Sequence, residues 1–81
     1  MSERSISLLY FSRGRSLLKV RLKERGIKQA ELARRSGISR QMISQYANNK
    51  SSMSVEVMKT ISYVLGCHME DLYQWERHNK E

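Results

Sequence analysis

Gln29-Ala-Glu-Leu-Ala-Arg-Arg-Ser-Gly-Ile-Ser-Arg-Gln-Met-Ile-Ser-Gln-Tyr46 is the stretch that decides the fold. It reads as two short helices joined by a tight turn. Leu32, Ile38, Ile43 and Tyr46 are spaced to pin those helices together, and Ala33 is small where they must cross closely. Gly37 supplies the positive φ that lets the chain reverse within a few residues. Ser39 is a good N-cap for the second helix. Arg40, Gln41, Ser44 and Gln45 are left facing outward, all polar and none acidic. A generic surface helix mixes in Glu or Asp. An acid-free face can approach a polyanion, and a helix-turn-helix unit lays its second helix in the major groove of DNA.

Outward from this stretch the chain reads as helices with short joints. Leu18 and Leu22 share one helical face, with Lys19, Arg21 and Lys23 turned away, so a first helix is expected from about Arg15 to Arg25. Gly26 closes it. The second helix begins near Lys28 or Gln29, with Glu31 at its positive end, and stops at Ser36. Lys28 is a poor cap. The third runs from Arg40 to about Asn48. Asn48 to Ser52 is a polar loop in which Asn49 can adopt a left-handed conformation. Ser54 caps a fourth helix with Glu56 in its first turn, and Val55, Met58, Ile61 and Leu65 have the spacing of a core stripe ending at Gly66. A fifth helix is expected from about His68 through Trp75, burying Met69 and Leu72. The expectation is therefore an all-α, compact five-helix domain over residues 14–76, with the helix-turn-helix at 29–48. A short N-terminal extension precedes it (1–13), and a polar, fraying tail follows (77–81).

Composition narrows the function. Lys and Arg total 15 against 8 for Asp and Glu, a net charge of +7. The excess is uneven: residues 1–50 carry 12 basic and 3 acidic side chains, and residues 51–81 carry 3 and 5. The positive field lies on the half that holds the helix-turn-helix, as a phosphate backbone requires. A basic face kept for solubility is the plainer alternative. The one cysteine, Cys67, excludes an internal disulfide and a Cys-based metal cluster, and its apolar context fits a structural thiol. His68 and His78 lack metal-ligand spacing with it, so no metal and no cofactor are expected. No nucleophile–base–acid set and no phosphate-cradling Gly-rich loop is present, so no catalytic residue is named. The apolar run Ile6–Phe11 is too short to span a bilayer, which leads to a cytoplasmic, nucleoid-associated protein as the expectation.

With Lys23-Glu24-Arg25-Gly26-Ile27, Gln29-Ala-Glu-Leu-Ala, Ser36-Gly37-Ile38-Ser39, Ile43-Ser44-Gln45-Tyr46, Asn48-Asn49-Lys50, Ser54 and Leu65-Gly66, the chain resembles the lambda-repressor-like helix-turn-helix family. That family is also called the Cro or xenobiotic-response-element (XRE) family. The resemblance spans roughly residues 15–75. It implies a five-helix domain that binds DNA as a dimer, with the third helix as the recognition helix. Three positions depart from the pattern: Lys28 replaces a capping Ser or Thr, Asn49 stands where Gly is common, and His68 stands where a small cap is common.

Candidate contacts follow from chemistry and position. Arg40 opens the recognition helix and can pair bidentately with guanine O6 and N7, while Gln41, and Gln45 one turn on, can read adenine. Ser44 reaches either a base edge or a phosphate. Gln29 begins the second helix, where free N–H groups favour an anion. The resemblance implies a phosphate contact there and at Asn48 and Lys50, with Ser51 as a further candidate. Arg34 and Arg35 either add long-range attraction or are solvated charges. Arg4, Arg13 and Arg15 raise a basic arm in the minor groove. The bulk of Ile6, Leu8, Leu9, Tyr10 and Phe11 instead favours packing, as a strand or against the body, or a dimer contact. Tyr73, Trp75, Leu8 and Tyr10 are the dimer candidates, with ordinary core as the alternative for Tyr73 and Trp75.

The functional expectation is a sequence-specific regulator, a dimeric repressor of bacterial or phage type on a near-palindromic double-stranded site. An antitoxin with a toxin partner and a restriction–modification controller share this fold and size. The other class is an adaptor or antirepressor, a protein antagonist that does not bind DNA.

Overall fold

The computed structural model describes residues 8–80, so Arg4 and Ile6 lie outside the described residues. The elements are β1 (Leu8–Ser16), α1 (Leu18–Arg25), α2 (Gln29–Ser36), α3 (Arg40–Ala47), α4 (Val55–Leu65), one 3₁₀ turn (Met69–Leu72) and β2 (Tyr73–Lys80). The all-α, five-helix expectation is overturned: the described residues form four helices and a two-stranded antiparallel sheet.

The helices start and stop where local chemistry dictates. Ser39 Oγ accepts from the Met42 N–H at 3.1 Å, and Ser54 Oγ from Val57 at 3.1 Å. Gly26, Gly37 and Gly66 end α1, α2 and α4 at φ of 67°, 75° and 71°. Lys28 gives α2 no side-chain cap. Asn49 holds the left-handed conformation at φ 62°, which accounts for an Asn where the related pattern has Gly.

The core joins all four helices. Leu18 and Leu22 of α1, Leu32 of α2, Ile43, Tyr46 and Ala47 of α3, and Ile61 and Leu65 of α4 are buried with Met53, Leu72 and Tyr73. Ala33 and Ile38 are partly buried against it. One residue of the expected α4 stripe fails: Val55 is exposed, and Val57 takes the inward position beside Met58.

The largest difference lies after Gly66. Leu72 is buried and Met69 half-buried, as expected, but a single 3₁₀ turn achieves this. Residues spaced i, i+3 eclipse in a 3₁₀ turn, so the Met69–Leu72 spacing does not require an α-helix. From Tyr73 the chain is extended. Leu8 to Arg13 pairs in register with Lys80 to Trp75, so the expected extension and the expected fraying tail are partners. The register breaks between Arg13 and Ser16, where β1 carries one more residue than β2. Such a bulge bends a strand and increases its twist. Gly14 sits in it, with its backbone so close to the Gln74 carbonyl that a Cβ would collide with that oxygen.

The ribbon is anchored only at its base. The Leu17 N–H donates to the Leu72 carbonyl at 2.8 Å, and Tyr73 reaches into the core. The rest projects, giving extents of 52 × 23 × 21 Å. The radius of gyration is 15.6 Å, against about 12 Å for a rounded chain of this length.

Candidate nucleic-acid interface

Helix α3 divides cleanly into two faces. Ile43, Tyr46 and Ala47 are buried, while Arg40 and Gln41 at the amino end are exposed and Ser44 and Gln45 are half-buried. The Ser39 cap fixes where the helix begins, and so sets Arg40 and Gln41 on its open end. No acidic side chain lies on α3.

The carboxy end of α3 is braced by polar pairs. Asn48 Nδ2 donates to the Ser44 carbonyl at 2.9 Å and to Ser44 Oγ at 3.2 Å. Ser51 Oγ donates to Gln45 Oε1 at 2.8 Å. The backbone N–H groups of Lys50 and Ser51 both point back to the Gln45 carbonyl, at 2.9 and 3.4 Å. Five of the residues singled out from the sequence are therefore tied in two groups, Asn48 to Ser44 and both Lys50 and Ser51 to Gln45, and the loop has a defined shape beside the helix. Lys50 is exposed at its edge. Gln29 stands at the first turn of α2, half-buried. The uncapped N–H groups there give that end of α2 a positive, donor-rich character.

Arg34 and Arg35 are not free charges. Both bind the Glu31 carboxylate, Arg35 Nε at 2.7 Å from Oε2. The Arg34 guanidinium, with Arg35 beside it, holds the Glu31 carboxyl below the usual carboxylate range.

Of the contact candidates on the ribbon, Tyr73 is part of the core: it is buried, and its Oη accepts from the Met53 N–H at 2.8 Å. Trp75 is partly exposed, and its Nε1 donates to the Glu70 carbonyl at 2.8 Å. Tyr10 is exposed and stacks on His78, centroids 4.7 Å apart. Leu8 lies on the outer end of β1, opposite Lys80. His68 precedes the 3₁₀ turn, its N–H donating to Asp71 Oδ2 at 3.1 Å. Partial burial pushes the Cys67 thiol up from its ordinary pKa, which suits an unreactive side chain.

Residues 17–77 match the model of the Cro/C1-type helix-turn-helix DNA-binding domain. The chain belongs to the Cro/C1-type helix-turn-helix DNA-binding family. Its partner is accordingly DNA. A crystal structure of a candidate DNA-binding protein from Bacteroides fragilis is similar over 83% of this chain and 100% of that one, with a TM-score of 0.70 and 24% identity. At that identity the likeness concerns the fold. No curated protein matches the chain. No helix among the described residues is long and apolar enough to cross a membrane.

Two residues, one inside the Cro/C1-type domain and one just before it, carry more structure than their sequence context promised. Asn49 Oδ1 accepts from the Ser16 N–H at 2.6 Å, joining the loop after α3 to the base of β1. Arg13 was a candidate for a minor-groove arm; it lies instead against that loop, its Cζ 5.4 Å from the centre of the Tyr73 ring. Neither link has a signal in the sequence, because each forms only once the two ends of the chain have paired.

Proposed function

We propose that this protein is a sequence-specific regulator that binds a near-palindromic duplex as a homodimer and represses by occluding polymerase at a promoter. The observation that carries the reading is the outer edge of α3, acid-free and open at the Arg40–Gln41 end, with a braced polar loop behind it. Arg40, Gln41, Ser44 and Gln45 read bases in this scheme. Gln29, Asn48 and Lys50 hold the backbone, with Ser51 bracing Gln45 beside them, since phosphate contacts set the register from which base contacts discriminate.

The ribbon supports pairing with a second copy. Leu9, Phe11, Tyr10 and Trp75 are 54%, 59%, 50% and 41% exposed on one projecting element. Lone two-stranded ribbons are marginal in water, and Leu9, Phe11 and Trp75 share one face of this one, an apolar exposure of the kind that marks a contact. The same element in a second copy offers the same residues, which is what a two-fold interface needs. A dimer then sets two recognition helices about 34 Å apart, one turn of B-DNA.

Selection of bound sites from a random duplex library, followed by footprinting, tests the whole scheme. The expected result is an inverted repeat with half-sites one turn apart. A single asymmetric half-site, together with a monomer by sedimentation equilibrium, would remove the dimer. Failure to enrich any sequence would remove sequence-specific regulation.

A further inference from the structure

The cleft between the ribbon base and the loop after α3 lies partly outside the span that matches the family model, because Arg13 is on β1. We propose that this cleft is a phosphate site, filled by one backbone phosphate of duplex DNA held jointly by Arg13 and Lys50. The inference rests on α3 being the recognition helix, and it adds a contact from the ribbon to those named above.

The cleft has a volume of about 340 Å³, and its lining includes Arg13, Asn49, Lys50, Ser51, Ser52 and Tyr73. Its walls are fixed before any ligand arrives. The Arg13 guanidinium rests over the Tyr73 ring, within cation–π range. That ring is buried and tied through its hydroxyl to the backbone of Met53. The opposite wall is tied to β1 by the bond from the Ser16 N–H to Asn49 Oδ1. These ties set the backbone of the site and the Arg13 guanidinium in advance, and the exposed Lys50 side chain is left to close on the ligand.

Charge and donors select the ligand. The ion pairs among the described residues are Arg21–Glu24, Arg34–Glu31 and Arg35–Glu31, so no described carboxylate neutralises Arg13 or Lys50. The Lys50 and Ser51 N–H groups and the Ser51 hydroxyl are engaged with Gln45, which leaves the anion to the side chains of Arg13, Lys50 and Ser52. An arginine fork beside a lysine suits a phosphate better than a planar carboxylate or an apolar molecule. The loop that supplies Lys50 is continuous with α3, so a duplex seated on α3 brings a backbone strand past this loop. A second strand-borne cation there lengthens the footprint by the reach of the ribbon base.

The test is ethylation interference on the selected site, with wild-type protein, Arg13→Gln, Arg13→Lys, Lys50→Gln and Arg40→Ala. Wild-type binding should fall about tenfold or more when the phosphate facing the loop is ethylated, the loss expected for a charge-assisted contact. Arg13→Gln should weaken binding to unmodified DNA by about tenfold and lose most of its sensitivity at that one phosphate. Lys50→Gln, which leaves β1 and Tyr73 untouched, should lose sensitivity at the same phosphate, and Arg13→Lys should restore it only in part, because a lysine keeps the charge without the fork. Loss of affinity in Arg13→Gln with an unchanged interference pattern would reduce Arg13 to a packing role and overturn the site. So would interference at two different phosphates for Arg13 and Lys50. If wild-type protein selects no DNA, the reading of α3 fails first. If it selects DNA and Arg40→Ala loses selectivity while Arg13→Gln behaves as wild type, only the cleft fails.

Discussion

The helix-turn-helix and the ribbon are built on opposite principles. In α2 and α3 the residues that touch are close in sequence: Leu32, Ile38, Ile43 and Tyr46 meet across one turn. In the ribbon they come from opposite ends of the chain, Leu8 opposite Lys80 and Ser16 opposite Tyr73. The first region closes on a buried core. The second exposes Leu9, Phe11 and Trp75 and enters the core only through Tyr73. The contrast teaches that this domain draws its stability from the helices and uses the ribbon for something else.

Substitutions can break that contrast. The largest effect is expected from Ile43→Ala, because Ile43 is fully buried where α3 meets the core. It should cost about 2–5 kcal/mol, a large part of a total of about 5–15 kcal/mol, read by chemical denaturation. Phe11→Ser should change monomer stability by about 0.5 kcal/mol or less, since the side chain already meets solvent. A comparable loss in both variants would put the ribbon within the stabilising core and end the distinction.

Two glycines probe the same contrast through different physics. At Gly37 φ is 75° and a Cβ would meet nothing within 4 Å, so the constraint is the dihedral alone. Gly37→Val should destabilise by about 1–3 kcal/mol, and Gly37→Asn by less, because Asn tolerates the left-handed region. At Gly14 the constraint is contact with the Gln74 carbonyl, which is backbone and cannot swing aside. Gly14→Ala should therefore disturb strand pairing and leave the helices intact. Amide exchange would show it: faster in β1 and β2, unchanged in α3.

Arg40→Ala separates function from stability. Its side chain is exposed, so the melting curve should hold. Affinity for the selected site should fall by about 1–3 kcal/mol, with preference relaxed at one base pair. An equal loss on random DNA would make Arg40 a phosphate contact.

The contrast also explains what was legible in the sequence. The bounds of α2, α3 and α4 could be read almost to the residue because Gly37, Ser39, Ser54 and Gly66 act locally on the helix ends they touch. The exposure of Arg40 and Gln41 follows from the buried set by helical periodicity, whereas Ser44 and Gln45 are half-buried because the loop after α3 folds back onto them. The segment from about His68 through Trp75 reads as a helix because Met69 and Leu72 fit both kinds of turn, and the rest of β2 reads as a fraying tail because its alternation is polar on most positions. Its partner lies at the far end of the chain, and pairing at that separation leaves no mark on either segment alone. The cleft was invisible for the same reason: Arg13 and Lys50 meet only once the ribbon is formed.

Asn49 belongs to both regions and gives the finest test. It turns the loop after α3 at φ 62°, and it accepts from the Ser16 N–H at the foot of β1. Asn49→Gly keeps the turn, because Gly adopts that φ freely, and removes only the link. The loss should be about 1 kcal/mol, the net worth of one hydrogen bond, reduced further if water reaches the orphaned N–H. Asn49→Ala removes the link and strains the turn as well, so it should lose more. The difference between the two variants isolates the turn, and the Gly variant isolates the tie between ribbon and loop. Faster amide exchange at Ser16 in Asn49→Gly, with α3 unaltered, would place that tie on the ribbon side of the contrast. A matching change through α3 would mean that the two regions open together, and that the ribbon helps to hold the loop that carries Lys50.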